Sequence, residues 1–118
     1  MVKSIEDLAV YKKAHLLTLE VYHLTERFPK NELFGLVSQM RRSSVSINSN
    51  LMEGGARITT AELLHFIGIA RGSASELKYQ LLLSKDLGFL NEKEYINVYK
   101  QLDEVLRMLT GLIKKQNN

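Results

Sequence analysis

Apolar residues recur along the chain at alternating spacings of three and four, in four separate runs. The first holds Val10, Ala14, Leu17, Val21, Leu24 and Phe28. The second holds Leu33, Val37, Met40, Ser44, Ile47 and Leu51, with one serine in an apolar register. The third is Leu63, Ile67, Ala70, Ala74, Leu77, Leu81 and Ser84, and the fourth is Tyr95, Val98, Leu102, Val105, Leu109 and Leu112. Such spacing keeps one face of an α-helix apolar over many turns, which is the pattern of a bundle seam. No stretch alternates with period two for long enough to predict a sheet.

Three breaks separate the runs. The only proline lies in Phe28-Pro29-Lys30-Asn31, a double glycine follows at Gly54-Gly55, and Gly88 closes Asp86-Leu87-Gly88. Proline ends a helix before it, and glycine just past a helix takes the left-handed conformation freely, so all three read as helix stops. The segments between them are roughly 20 to 25 residues, about 30 Å each if helical. Two starts are marked as well. Thr59 stands three before Glu62 and Asn91 three before Glu94, the first fitting a capping box and the second a close variant. Short connections make consecutive helices antiparallel neighbours. The prediction is an all-α fold: a single up-down-up-down four-helix bundle over residues 1–118.

Composition narrows the function. The chain has 118 residues, no cysteine and a net charge of +3. Without cysteine there is no disulfide framework and no thiolate zinc site. The opening MVKSIEDLAVYKKAH is charged throughout and does not read as a signal peptide, and no apolar run nears the roughly 18 residues of a membrane span. These features predict a cytoplasmic protein that does not enter a membrane. No stretch between breaks carries more than +1, so one subunit is a weak polyelectrolyte binder, and an oligomer that gathers its basic residues on one face is a stronger one.

Several positions fall off the seams. In the second segment, Gln39, Arg42, Ser46, Ser49, Asn50 and Glu53 form a polar but short-chained arc, where a merely solvated face would carry more Lys and Glu. This fits hydrogen bonding to a neighbouring helix or loop, a subunit interface, or ligand contact. A further arc holds Ser38, Val45 and Met52, beside Arg41. In the third segment Gly68 and Gly72 sit inside a helix, each costing about 1 kcal/mol against alanine, which fits either tight packing inside the bundle or a subunit contact. Glu20-Val21-Tyr22-His23 and Glu62-Leu63-Leu64-His65 have the Glu-x-x-His spacing of carboxylate di-iron bundles, but neither pair is in phase with its seam, so no metal site is predicted. No phosphate loop, nucleophile motif or cofactor motif is present, and the chain is read as non-enzymatic with no cofactor. Arg41, Arg42, Arg57, Arg71 and Lys78 are the candidate phosphate contacts, Arg71 and Lys78 sharing a helical face. No basic-aromatic stacking platform is evident in the sequence.

The run from Phe28 to Ile47, FPKNELFGLVSQMRRSSVSI, resembles the signature of the bacterial four-helix bundle family, also called the 23S rRNA intervening-sequence protein family. The resemblance continues through Asn50-Leu51-Met52-Glu53-Gly54 and Arg57, then Ile69-Ala70-Arg71-Gly72-Ser73, Glu76-Leu77, Leu87-Gly88-Phe89-Leu90 and Met108 to Ile113. That family is similar to the accessory protein of diversity-generating retroelements, a pentameric barrel of four-helix bundles that binds nucleic acid and a reverse transcriptase. The resemblance implies a homopentamer, an RNA or DNA partner and a protein partner, with the family's Arg-Arg pair on Arg41 and Arg42 and its later arginine on Arg57. Val45, Met52, Gly68 and Gly72 are the interface candidates. Two departures stand out: Asn48 where the family often has proline, which predicts a straighter helix, and Met52 where it often has alanine. The alternative reading is a purely structural oligomeric scaffold that binds no nucleic acid.

Overall fold

Four helices follow the four apolar runs in the computed structural model, which describes residues 4–117: α1 Ala9–Thr25, α2 Ser38–Gly55, α3 Thr60–Asp86 and α4 Glu92–Asn117. The ends of the predicted domain, residues 1–3 and Asn118, lie outside the described residues. Each helix packs on its neighbour in the chain, and α4 closes the ring against α1. No strand occurs among the described residues. Every seam residue of the first run is buried, as are all those of the third but Leu63.

The seam of α2 departs from expectation at its start. Leu33 is half-exposed, and Leu36 is buried in its place. A short 3-10 turn, Lys30–Glu32, leads into a wider π-type turn, Leu33–Val37, interrupted by non-helical backbone at Gly35. A turn of that width shifts the phase of everything before it, so the three-four register holds only from Val37 onward. The Glu32 carboxylate accepts from the Leu36 amide (3.2 Å) and caps the turn. Beyond it α2 runs unbroken through Asn48, whose amide donates to the Tyr11 carbonyl of α1 (2.9 Å).

The two glycine breaks work differently. Gly88 has φ +83°. The Phe89 amide donates to the Ser84 carbonyl and the Gly88 amide to that of Lys85, both at 2.9 Å, which makes a Schellman stop. Gly54 and Gly55 do not end α2 through a left-handed residue; they form its last turn, and their role is close approach. A Cβ on Gly54 would stand 2.9 Å from the Phe66 Cβ, and one on Gly55 would collide with Ile5. The α2–α3 crossing is lined by small side chains, Ser43, Ser46 and Ser73 among them, and it is the most extensive helix contact in the molecule.

Both predicted caps form. The Thr59 hydroxyl accepts from the Glu62 amide (3.1 Å), while the Glu62 carboxylate accepts from the Thr59 amide (3.3 Å). Asn91 and Glu94 repeat the arrangement at 2.8 and 3.0 Å, and Glu94 also pairs with Arg27, just past the end of α1. The Thr59 hydroxyl, helped by its backbone N–H and by Arg57, holds the Glu62 carboxyl below its ordinary value. The Asn91 backbone N–H and then Arg27 do the same for Glu94.

Gly68 and Gly72 do not pack inside the bundle. Both are exposed, and a Cβ at either would meet nothing within 4 Å. Gly54→Ala is therefore expected to destabilise the protein by about 1–3 kcal/mol through overpacking. Gly68→Ala and Gly72→Ala should each stabilise it by about 0.5–1 kcal/mol through helix propensity. Urea unfolding checks all three. Because both capping carboxyls titrate lower in the folded chain, their contribution is complete above the ordinary value near 4.5. It is lost as pH falls through their lower folded-state values. Thermal melts by circular dichroism should show an acid-side loss of stability that Glu94→Gln makes shallower.

Candidate nucleic-acid interface

The five basic residues singled out by the sequence are not brought together. Arg41 turns toward α1, where its Nε donates to the Thr25 hydroxyl (3.0 Å) and a terminal nitrogen to the Tyr22 carbonyl (3.4 Å). Its guanidinium lies 4.6 Å from the Tyr22 ring centroid. A cation on the last carbonyls of a helix complements the helix dipole, so Arg41 caps α1 while clamping it to α2. Thr25 is itself buried and donates to the Val21 carbonyl (2.7 Å).

Arg57 is engaged at the far end of the bundle. It pairs with Glu53 one turn back (2.9 Å), stands 4.0 Å from Glu62, and lies over the Phe66 ring at 4.9 Å. It braces the turn from α2 into α3. Arg42 is one residue from Arg41, but a helix turns about 100° per residue, and Arg42 stands between two grooves, lining the one shared with Arg41 and also the one between α2 and α3. There α2 supplies Gln39, Arg42, Ser43 and Ser46, and α3 supplies Ser73, Glu76 and Gln80. The Ser46 and Ser73 hydroxyls share a hydrogen bond of 2.8 Å across the groove. The short-chained polar arc is thus in part a contact with the neighbouring helix.

Arg71 and Lys78 lie on the opposite flank of α3, toward α4. The Lys78 ammonium stands 5.5 Å from the Tyr99 ring centroid. One heptad further on, Lys85 stands 4.8 Å from that of Tyr95. The two tyrosine rings, one turn apart on α4, are 5.8 Å from each other. Lysines and tyrosines thus form a ladder along the α3–α4 groove, with Arg71 continuing its basic rail. The lysines and the rings belong to different helices, so no local run of the sequence contains both. The available signal was the seven-residue repeat Arg71, Lys78, Lys85 opposite Tyr95 and Tyr99.

Val45 and Met52 are partly exposed along the α1–α2 groove, and Phe34 at its entrance is 94% exposed. The open strip of Gly68 and Gly72 lies on the outer face of α3, so the four interface candidates fall on two faces. His23 and His65 are exposed, and Glu62 is committed to its cap. Among the described residues no group of three or more His, Asp or Glu could hold a metal ion, and no helix is long and apolar enough to cross a membrane.

Comparison with known proteins bears on the whole chain. A family model described as 23S rRNA-intervening sequence protein matches residues 6–111. Among solved structures, the chain is similar to a protein of unknown function from the S23 ribosomal protein family of Bacteroides thetaiotaomicron. The two share 23% identity and a TM-score of 0.82 over 89% of this chain and 95% of the other, a likeness of fold. No curated protein sequence matches the chain.

The two ends of the basic set should separate on mutation. Arg41→Ala is expected to cost about 1–2 kcal/mol, the loss of charge-assisted bonds at a partly buried site, while Arg71→Ala stays within about 0.5 kcal/mol of the parent. Chemical denaturation of the two variants measures the difference.

Proposed function

The chain belongs to the 23S rRNA-intervening sequence protein family, and on that premise we propose that it is a non-catalytic, oligomeric adaptor of the cytoplasm that binds RNA or DNA together with a protein partner such as a reverse transcriptase. The observation that carries this reading is the lysine–tyrosine ladder of the α3–α4 groove. Arg71, Lys78 and Lys85 repeat every seven residues, about 10 Å along the helix, and offer cations to a polyanion on one straight rail. Tyr95 and Tyr99 beneath them hold the ammonium groups over aromatic faces. Contacts of this kind reach phosphate without reading sequence. Arg41 and Arg57 are committed inside the fold and take the part of scaffold residues in this proposal.

Net charge decides how strong such binding can be. A single chain at +3 with three rail cations is a weak binder, and repetition of the rail in a cyclic homo-oligomer, a pentamer by the family resemblance, multiplies it. Partly exposed Val45 and Met52, and the open strip at Gly68 and Gly72, are the surfaces such an assembly would cover. The same surfaces favour the second reading, an oligomeric scaffold that binds protein alone.

Fluorescence anisotropy of labelled structured RNA and duplex DNA separates the two. Three phosphate contacts per chain predict a loss of affinity of about 20- to 40-fold between about 50 and 200 mM salt. Lys78→Glu with Lys85→Glu should abolish binding, and Arg41→Ala should reduce it only as far as it unfolds the chain. No binding at the lower salt leaves the scaffold.

A further inference from the structure

The groove between α2 and α3 is built as a site rather than as a solvated seam. Short side chains leave it a volume of about 370 Å³, large enough for a small ligand. Its floor is held in place: the Asn50 amide donates to the Ser46 hydroxyl (2.9 Å) and carbonyl (2.8 Å), and that hydroxyl shares its bond with Ser73. Three of the lining residues, Ser43, Ser73 and Gln80, are each only 8% exposed. The Gln80 Oε1 is buried without a hydrogen-bond partner, a costly state for an acceptor with no donor to meet it. Arg42 and Glu76 line the same groove, yet among the described residues neither forms an ion pair with the other or with any third group.

The two walls differ in kind. The α2 wall presents the free guanidinium of Arg42, a planar bidentate donor. The α3 wall presents the Glu76 carboxylate, a bidentate acceptor, with the buried, unsatisfied Gln80 oxygen behind it. A complementary ligand carries two adjacent acceptors on one edge and two adjacent donors on the next. Guanine, alone of the four common bases, does so: O6 and N7 face an arginine, and N1–H and the N2 amino group face a carboxylate. Adenine, cytosine and uracil each bring only one donor group for Glu76. The geometry points to a guanine-binding site in the α2–α3 groove, with Arg42 on O6 and N7 and Glu76 on N1–H and N2. The base can come from a free guanine nucleotide or from an unpaired guanosine of RNA. Only the second source rests on the nucleic-acid proposal above.

Titration of the full chain with GMP, AMP, CMP, UMP and IMP, followed by NMR and calorimetry, tests the site. The five ligands share ribose and phosphate, so differences among them report the base. GMP should bind saturably, at least about tenfold more tightly than AMP, CMP or UMP, and should shift the Gln80 side-chain amide resonances. IMP, which lacks the N2 amino group, should bind more weakly than GMP. Glu76→Gln and Arg42→Gln, isolated changes on exposed side chains, should keep the helical spectrum and remove the preference. Equal affinity for all five, or a preference unchanged in Glu76→Gln, overturns the site. Lys78→Glu with Lys85→Glu distinguishes the sources: it should abolish RNA binding and leave GMP binding intact. RNA binding by the parent with no gain from unpaired guanosines, together with no GMP preference, sinks this inference and leaves the phosphate rail standing. GMP selectivity without RNA binding assigns the site to the free nucleotide and sinks the nucleic-acid reading.

Discussion

The close approach of α2 to α3 is the constraint from which most of the molecule follows. It is possible because Gly54 has no side chain where Phe66 passes, and because serines rather than larger residues face each other along the crossing. A tight helix pair has little room for apolar bulk between its outer edges, so its rim is closed by hydroxyls and amides. Polar groups brought that near one another must be satisfied or must wait for a ligand. Ser46, Ser73 and Asn50 are satisfied among themselves; Gln80 is not. The packing requirement of the fold and the chemistry of the groove are two results of the same small residues.

The adjacent arginines show how one sequence motif divides between structure and surface. Arg41 spends its hydrogen bonds on the end of α1, and Arg42 keeps its own free. A similar division separates Arg57, held by Glu53 and Phe66, from Arg71, which forms no ion pair or ring contact among the described residues. Basic residues in a helical bundle are thus not one population. Those near helix ends complement exposed carbonyls and carboxylates of caps, and those along grooves between helices remain available to solvent and to partners.

Much of this was legible in the amino-acid sequence, because a bundle's core is a matter of period. Val10 to Phe28 and Ile67 to Ser84 lie where the three-four spacing put them, and both capping pairs could be read from residues three apart. Leu33 escaped because a π-type turn alters the period itself, and nothing in the spacing of Leu33 and Val37 announces it. Gly54 and Gly55 were readable as special but not as contacts, since the residues they admit, Phe66 and Ile5, are distant in the chain. The lysine–tyrosine ladder and the Arg42–Glu76 groove failed for the same reason. Each is assembled from two helices, and a reading along one helix sees only half of it.

The ring order of the helices also sets the route by which the chain reaches this structure. Every helix packs on the one before it, so α1, α2 and α3 can dock in the order in which they are synthesised, with short loops to close. The return of α4 to α1 joins the two helices farthest apart in the chain, and ion pairs lie along that seam, Lys13 of α1 with Glu104 and Arg27, just past the end of α1, with Glu94. Opposite charges at the two ends of the final contact favour the correct antiparallel alignment of α4 over a slipped one, so the last step of folding is steered as well as driven.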